Sequence, residues 1–161
     1  MEKEYKPAPT QFSAFVELTK PRITSLVVIT SAFGYYLGAR GFDSIFTLVA
    51  LLCGTALVSA GSGAMNHYME RETDKLMIRT RNRPLPAGIL KEETVFWFGF
   101  LLIFLGVFVL LFLTNLLTAF LALLTAFLYI FIYTPLKKIT WFFINMMSML
   151  QKENTELWEF I

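Results

Sequence analysis

Long uncharged stretches alternate with short charged ones along this chain. Residues 23–39 hold no Asp, Glu, Lys or Arg, nor do residues 44–69, and a third such run covers 43 residues, 94–136. About 20 apolar residues span a bilayer as a helix, so the longest run accommodates two crossings. The pattern predicts an all-α integral membrane bundle of about four transmembrane helices, over residues 23–39, 44–65, 94–113 and 116–133. Residues 40–43 form a short turn between the first two, and Thr114-Asn115 a minimal hairpin between the last two.

Local signals refine this outline. Before the first span, a short interfacial helix is expected over Phe12, Phe15, Val16 and Leu18. Pro21 in Lys20-Pro21-Arg22 suits a first helical turn, where its missing N–H costs little. Gly34 and Gly38 make a G-x-x-x-G pair that allows close approach of another helix. The second span ends in Ser59-Ala60-Gly61-Ser62-Gly63-Ala64, too small and polar to face lipid; it implies tight packing or a cavity lining. This helix is expected to continue out of the membrane through residues 66–74, until Pro84 and Pro86-Ala87-Gly88 impose a loop. Glu92 and Glu93 favour the start of the third span through the helix dipole. Residues 139–150 are apolar for only twelve positions, too few to span, and a polar tail follows.

Composition sharpens the class. The chain is 56% hydrophobic and 16% charged, more apolar than a soluble domain. Its net charge of +2 does not indicate nucleic acid, because the placement of charge has a membrane explanation. With four spans, thirteen of the fourteen basic residues lie on the side shared by the N-terminus, the 66–74 segment and the C-terminus, against Arg40 alone opposite. The positive-inside rule places that side in the cytoplasm, in a multi-pass protein of the cell membrane. Cys53, the only cysteine, excludes an intrachain disulfide. The polar first 22 residues do not read as a cleavable signal peptide.

The densest charge lies in residues 66–91. On a helix Asn66, Glu70 and Asp74 fall within an arc of about 80°. Three oxygen-bearing side chains so stacked suit a hard cation such as Mg²⁺, which takes one or two carboxylates and fills its shell with phosphate oxygens and water. Arg79 and Arg83 suit phosphate, since a planar fork matches two oxygens at once. Lys20, Arg22 and Lys137 sit at the same membrane level. The reading is a magnesium–diphosphate site at a membrane surface; the bland alternative is a solvated helix end beside a basic loop. His67 is read as a hydrogen-bonding residue rather than a haem ligand, and the Phe-rich faces of the later spans as lipid-facing or packing.

The run Asn66-x-x-x-Glu70-x-x-x-Asp74-x-x-Met77-x-Arg79-Thr80-x-x-Arg83-Pro84-Leu85-Pro86-x-Gly88 resembles the first acidic motif of the UbiA-type intramembrane prenyltransferases. Within them it is most similar to the branch that farnesylates protohaem IX. Leu18-Thr19-Lys20-Pro21-Arg22-Ile23 and Tyr133-Thr134-Pro135-Leu136-Lys137-Lys138 agree, so the resemblance covers about residues 14–140. It implies transfer of a farnesyl group from farnesyl diphosphate to a vinyl group of protohaem IX, giving haem O. Asn66, Glu70 and Asp74 would be metal and diphosphate residues, and Arg79, Arg83 and Lys137 phosphate partners. A quinone precursor as acceptor, and an inert helical bundle, are the alternatives.

The family fold is a ring of about nine transmembrane helices with a second acidic motif in a later loop. Residues 1–140 would be its N-terminal half, and 141–161 a divergent tail without that second motif. The expectation is a truncated or frameshifted product, or part of a split enzyme with a second chain supplying the missing helices, and no catalysis by this chain alone.

Overall fold

A computed structural model of the chain describes residues 10–39, 44–77 and 80–137. Among them all regular structure is helical. Helix α1 (Gln11–Leu18) forms where the interfacial helix was expected, and Thr10 caps it by accepting a hydrogen bond from the Ser13 amide. Helix α2 (Pro21–Gly38) begins on Pro21. Helix α3 (Ile45–Leu76) is capped by Ser44 and runs 32 residues, or about 48 Å. A hydrocarbon core is about 30 Å thick, so α3 outruns it, and the charged segment is its protruding end. Helix α4 (Glu92–Leu113) carries Glu92 and Glu93 in its first turn. Helix α5 (Leu116–Phe127) is capped by Asn115 and continues through a π-helical segment, Leu128–Tyr133, reaching Lys137.

Among the described residues three helices are long and apolar enough to cross a membrane: Ile45–Leu76, Glu92–Leu113 and Leu116–Lys137, with mean hydropathies of 1.9, 2.8 and 2.3. The first expected span forms as α2, but Arg22, Thr24, Ser25, Thr30 and Ser31 dilute its 18 residues. Two of these hydroxyl residues, Thr24 and Ser31, line an internal cavity instead of facing lipid.

The tightest crossing joins α3 and α4. A Cβ on Gly61 would lie 2.7 Å from the Gly99 carbonyl oxygen, and one on Gly106 2.8 Å from the Gly54 carbonyl oxygen. The two backbones touch at two levels, as small residues permit between membrane helices. The expected G-x-x-x-G contact is not made among the described residues: nothing lies within 4 Å of a Cβ at Gly34 or Gly38. Those two glycines lie on an open part of α2, whereas Gly54 and Gly61 face α4.

At the charged end, Ala14 and Leu18 of α1 are fully buried against Ala64, Leu85, Leu90 and Val95. Helix α1 and the 80–90 loop thereby roof the protruding end of α3. Phe100, Phe104, Phe108 and Phe112 line the outer face of α4, half exposed or more, as a lipid-facing surface requires.

Candidate functional site

The acidic face of α3 turns inward. Asn66, Glu70 and Asp74 are 1%, 5% and 4% exposed, while the Glu72 side chain between them is 67% exposed. A merely solvated helix end would leave all these groups in water. Burial instead demands partners, because an unpaired buried charge is expensive.

Those partners come from three distant segments. Lys20 Nζ donates to Asn66 Oδ1 and lies 3.4 Å from the Tyr129 hydroxyl. Asn66 Nδ2 donates to Thr134 Oγ1 at 3.0 Å, and Thr134 in turn donates to the Tyr129 carbonyl at 2.9 Å. Lys137 Nζ stands 3.3 Å from Glu70 Oε1. Arg83 bridges both carboxylates, with Nη1 2.7 Å from Asp74 Oδ2 and 3.7 Å from Glu70 Oε2. Thr80 Oγ1 donates to the Asp74 carbonyl at 3.1 Å, tying the start of the loop to the end of α3.

Local backbone irregularities aim these groups. Lys20 has φ +47°, the only positive φ at a non-glycine among the described residues. Such a left-handed residue is strained, and strain of this kind clusters at functional sites. The π-helical segment shifts the register so that Tyr129 and Thr134, five residues apart, both reach the network. Single π-turns inside α-helices often mark functional positions. Burial lowers the Lys20 pKa to about 8, against the opposing attraction of Glu70.

Of the other residues singled out from sequence, Arg22 is exposed and stands outside this network. Arg79 lies outside the described residues. Arg71, which the sequence did not single out, packs on the Tyr68 ring and pairs with Glu92 at 2.9 Å, fastening α3 to α4. His67 is 3% exposed, and its Nδ1 has no hydrogen-bond partner among the described residues. Tyr129 and Thr134 were not singled out from sequence. Thr134 is legible as the residue one turn before Lys137, but Tyr129 reaches the site only through the π register.

Below the network lies a cavity of about 290 Å³ between α2, α3 and α5. Lys20 and Tyr129 stand where it meets the charged cluster, and Ser31, Thr55 and Ala122 are among its other lining residues. The small-residue run of α3 serves both anticipated purposes: Gly61 packs on α4, and Ser59, Ser62 and Gly63 line the cavity.

No three His, Cys, Asp or Glu side chains group as a metal site among the described residues. Two carboxylates and one amide oxygen do stack on one buried face, a donor set that fits Mg²⁺ when a ligand's phosphate oxygens and water complete the shell. Cations surround that set, ready for an anionic ligand.

Residues 27–149 match the model of the UbiA prenyltransferase family. The chain is 44% identical over 94 residues to a protoheme IX farnesyltransferase of Myxococcus xanthus, covering 58% of this chain and 32% of that protein. It is 38% identical over 131 residues to one of Cytophaga hutchinsonii (81% and 46%) and 37% identical over 136 residues to one of Solibacter usitatus (79% and 47%). The chain thus spans about a third to a half of the length of the curated relatives it matches. No solved structure matches it. With three helices long and apolar enough to cross a membrane and a family match over most of its length, this multi-pass membrane chain belongs to the UbiA prenyltransferase family.

Proposed function

We propose that the chain carries the donor site of a protohaem IX farnesyltransferase, which moves a farnesyl group from farnesyl diphosphate to a vinyl group of protohaem IX. On this reading residues 1–140 are the N-terminal half of the prenyltransferase domain, and the charged end faces the cytoplasm. One observation carries the proposal. Asn66, Glu70 and Asp74 meet Lys20, Arg83 and Lys137 in a buried cluster at the mouth of a cavity between helices.

Charge balance supports it. Three cations face two carboxylates, leaving one positive charge in excess. A prenyl diphosphate, at about −3, with one Mg²⁺ carries about −1, so the complex neutralises the site, whereas the diphosphate alone overshoots. The acids and bases satisfy one another here, and binding would exchange those partners. Glu70, Asp74 and Asn66 would hold the metal, which when bound draws charge from the diphosphate and makes it a better leaving group.

Arg83 and Lys137 then grip terminal phosphate oxygens. Lys20, which borders both cluster and cavity, faces the junction of head group and chain. As the C1–O bond breaks, its electron pair leaves with the diphosphate, and these donors stabilise the growing charge. Each is worth about 10²–10³ in rate. The allylic cation left at C1 is attacked by the vinyl π-electrons of the acceptor, which forms the new C–C bond and leaves the positive charge on the acceptor's inner vinyl carbon; water adds there and loses a proton, giving an alcohol.

The test is retention of radiolabelled farnesyl diphosphate by the chain in lipid nanodiscs. Retention should require Mg²⁺ and disappear with a chelator. Retention indifferent to metal, or none at all, removes the proposal.

A further inference from the structure

We infer that Thr24, Ser59 and Gly63 are positioning residues that hold Lys20 in its left-handed turn and so aim its ammonium at the donor's diphosphate; this rests on the donor-site reading above. The backbone of Lys20 does not hold itself. It lies at φ +47° and ψ 64°, where crowding of Cβ against the carbonyl opposes any residue but glycine. Pro21 follows, and a residue before proline favours extended backbone. A residue strained on both counts persists only where its surroundings over-determine it. An extended backbone at Lys20 would redirect its Cα–Cβ bond, and the ammonium with it, so whatever fixes the turn also fixes the charge.

Thr24 is the clasp. Its Oγ1 donates to the Thr19 carbonyl at 2.8 Å, and its amide donates to the Lys20 carbonyl at 3.1 Å. Those carbonyls belong to the two peptide groups flanking the Lys20 Cα, so one residue restrains both of its torsions. The Lys20 amide donates to the Glu17 carbonyl at 3.1 Å, bracing the first peptide group again. A threonine hydroxyl has one hydrogen, and Thr24 spends it on Thr19. Ser59 Oγ, 3.2 Å away, is therefore the donor to Thr24 Oγ1, a strut from α3 to the start of α2. Gly63, one turn beyond Ser59 on α3, is the floor: a Cβ there would lie 2.9 Å from the Leu18 carbonyl oxygen and 3.6 Å from Lys20 Cγ. Leu18 is fully buried in the cluster of Ala64, Leu85 and Val95, so its backbone has nowhere to retreat. With floor, clasp and strut in place, Lys20 Nζ reaches Asn66 Oδ1 and lies 3.4 Å from the Tyr129 hydroxyl. Thr24 and Ser59 border the cavity, but their hydrogens are committed to this chain of bonds, so they act through Lys20.

The experiment measures Mg²⁺-dependent binding of farnesyl thiodiphosphate, which resists ionisation, to the full chain in nanodiscs. Thr24→Val removes the hydroxyl at nearly constant shape and should weaken binding by about three- to tenfold, the equilibrium worth of one hydrogen bond. Thr24→Ser keeps the hydroxyl and should bind like wild type. Ser59→Ala, on the other helix, should weaken binding in the same direction and serves if Thr24→Val fails to fold. In a Lys20→Met background neither Thr24→Val nor Ser59→Ala should weaken binding further, because residues that act only through Lys20 then have nothing to position. An equal loss in both backgrounds would overturn the inference, as would folded Thr24→Val or Ser59→Ala proteins that bind like wild type; either result leaves the donor site standing. Absence of binding in wild type would overturn both.

Discussion

Replacing Asp74 by Asn separates the two tasks assigned to this carboxylate. Asp74 is 4% exposed and accepts from Arg83 Nη1 at 2.7 Å, while Glu70 is the more distant partner at 3.7 Å. Asparagine keeps an oxygen for Arg83 but removes the charge. The cost to stability is about 1 kcal/mol, the difference between a charge-assisted hydrogen bond and an ordinary one. The cost to metal binding is larger. Supporting groups behind metal ligands are worth about 10–100-fold in affinity, so losing a ligand's charge should weaken Mg²⁺-dependent diphosphate binding by at least about 100-fold, or roughly 2.7 kcal/mol.

Asp74→Ala would mix the two effects, since it also leaves Arg83 without its near partner, at about 3 kcal/mol. The assay is a Mg²⁺ titration at fixed farnesyl thiodiphosphate in nanodiscs, with thermal unfolding run in parallel. Glu72→Gln, two residues away and exposed, is the control and should titrate like wild type. An Asp74→Asn protein that unfolds near the wild-type temperature and has the same Mg²⁺ half-saturation would refute the assignment of this face to a metal.

Lys20→Met should lower farnesyl diphosphate affinity at least about tenfold, because a donor on the buried cluster is lost, whereas Arg22→Ala should leave it unchanged; equal effects in a binding titration would contradict their different placement. Thr134→Val strands the Asn66 amide hydrogen, so unfolding in detergent should show a loss of about 1–3 kcal/mol. Gly61→Ala puts a Cβ 2.7 Å from the Gly99 carbonyl oxygen and should cost about 1–3 kcal/mol by the same measurement, while Gly34→Ala, with nothing within 4 Å, should cost nothing.

What the sequence determined by itself is local. Charge-free runs fix where helices lie, since hydropathy acts residue by residue, and the four-residue spacing of Asn66, Glu70 and Asp74 puts them on one face of any helix. Proline and glycine placed the loop after α3 for equally local reasons. The tertiary structure decided which way that face turns and which cations meet it. Lys20 and Lys137, far apart in the chain, converge on residues 66–70, while Arg22, two residues from Lys20, does not. A left-handed turn at Lys20 and a π-helical register at Tyr129 set those directions, and neither follows from residue type. Helix crossing also chose Gly61 and Gly106 over Gly34 and Gly38 as close contacts, because a small residue only permits an approach that the packing of the whole bundle must supply.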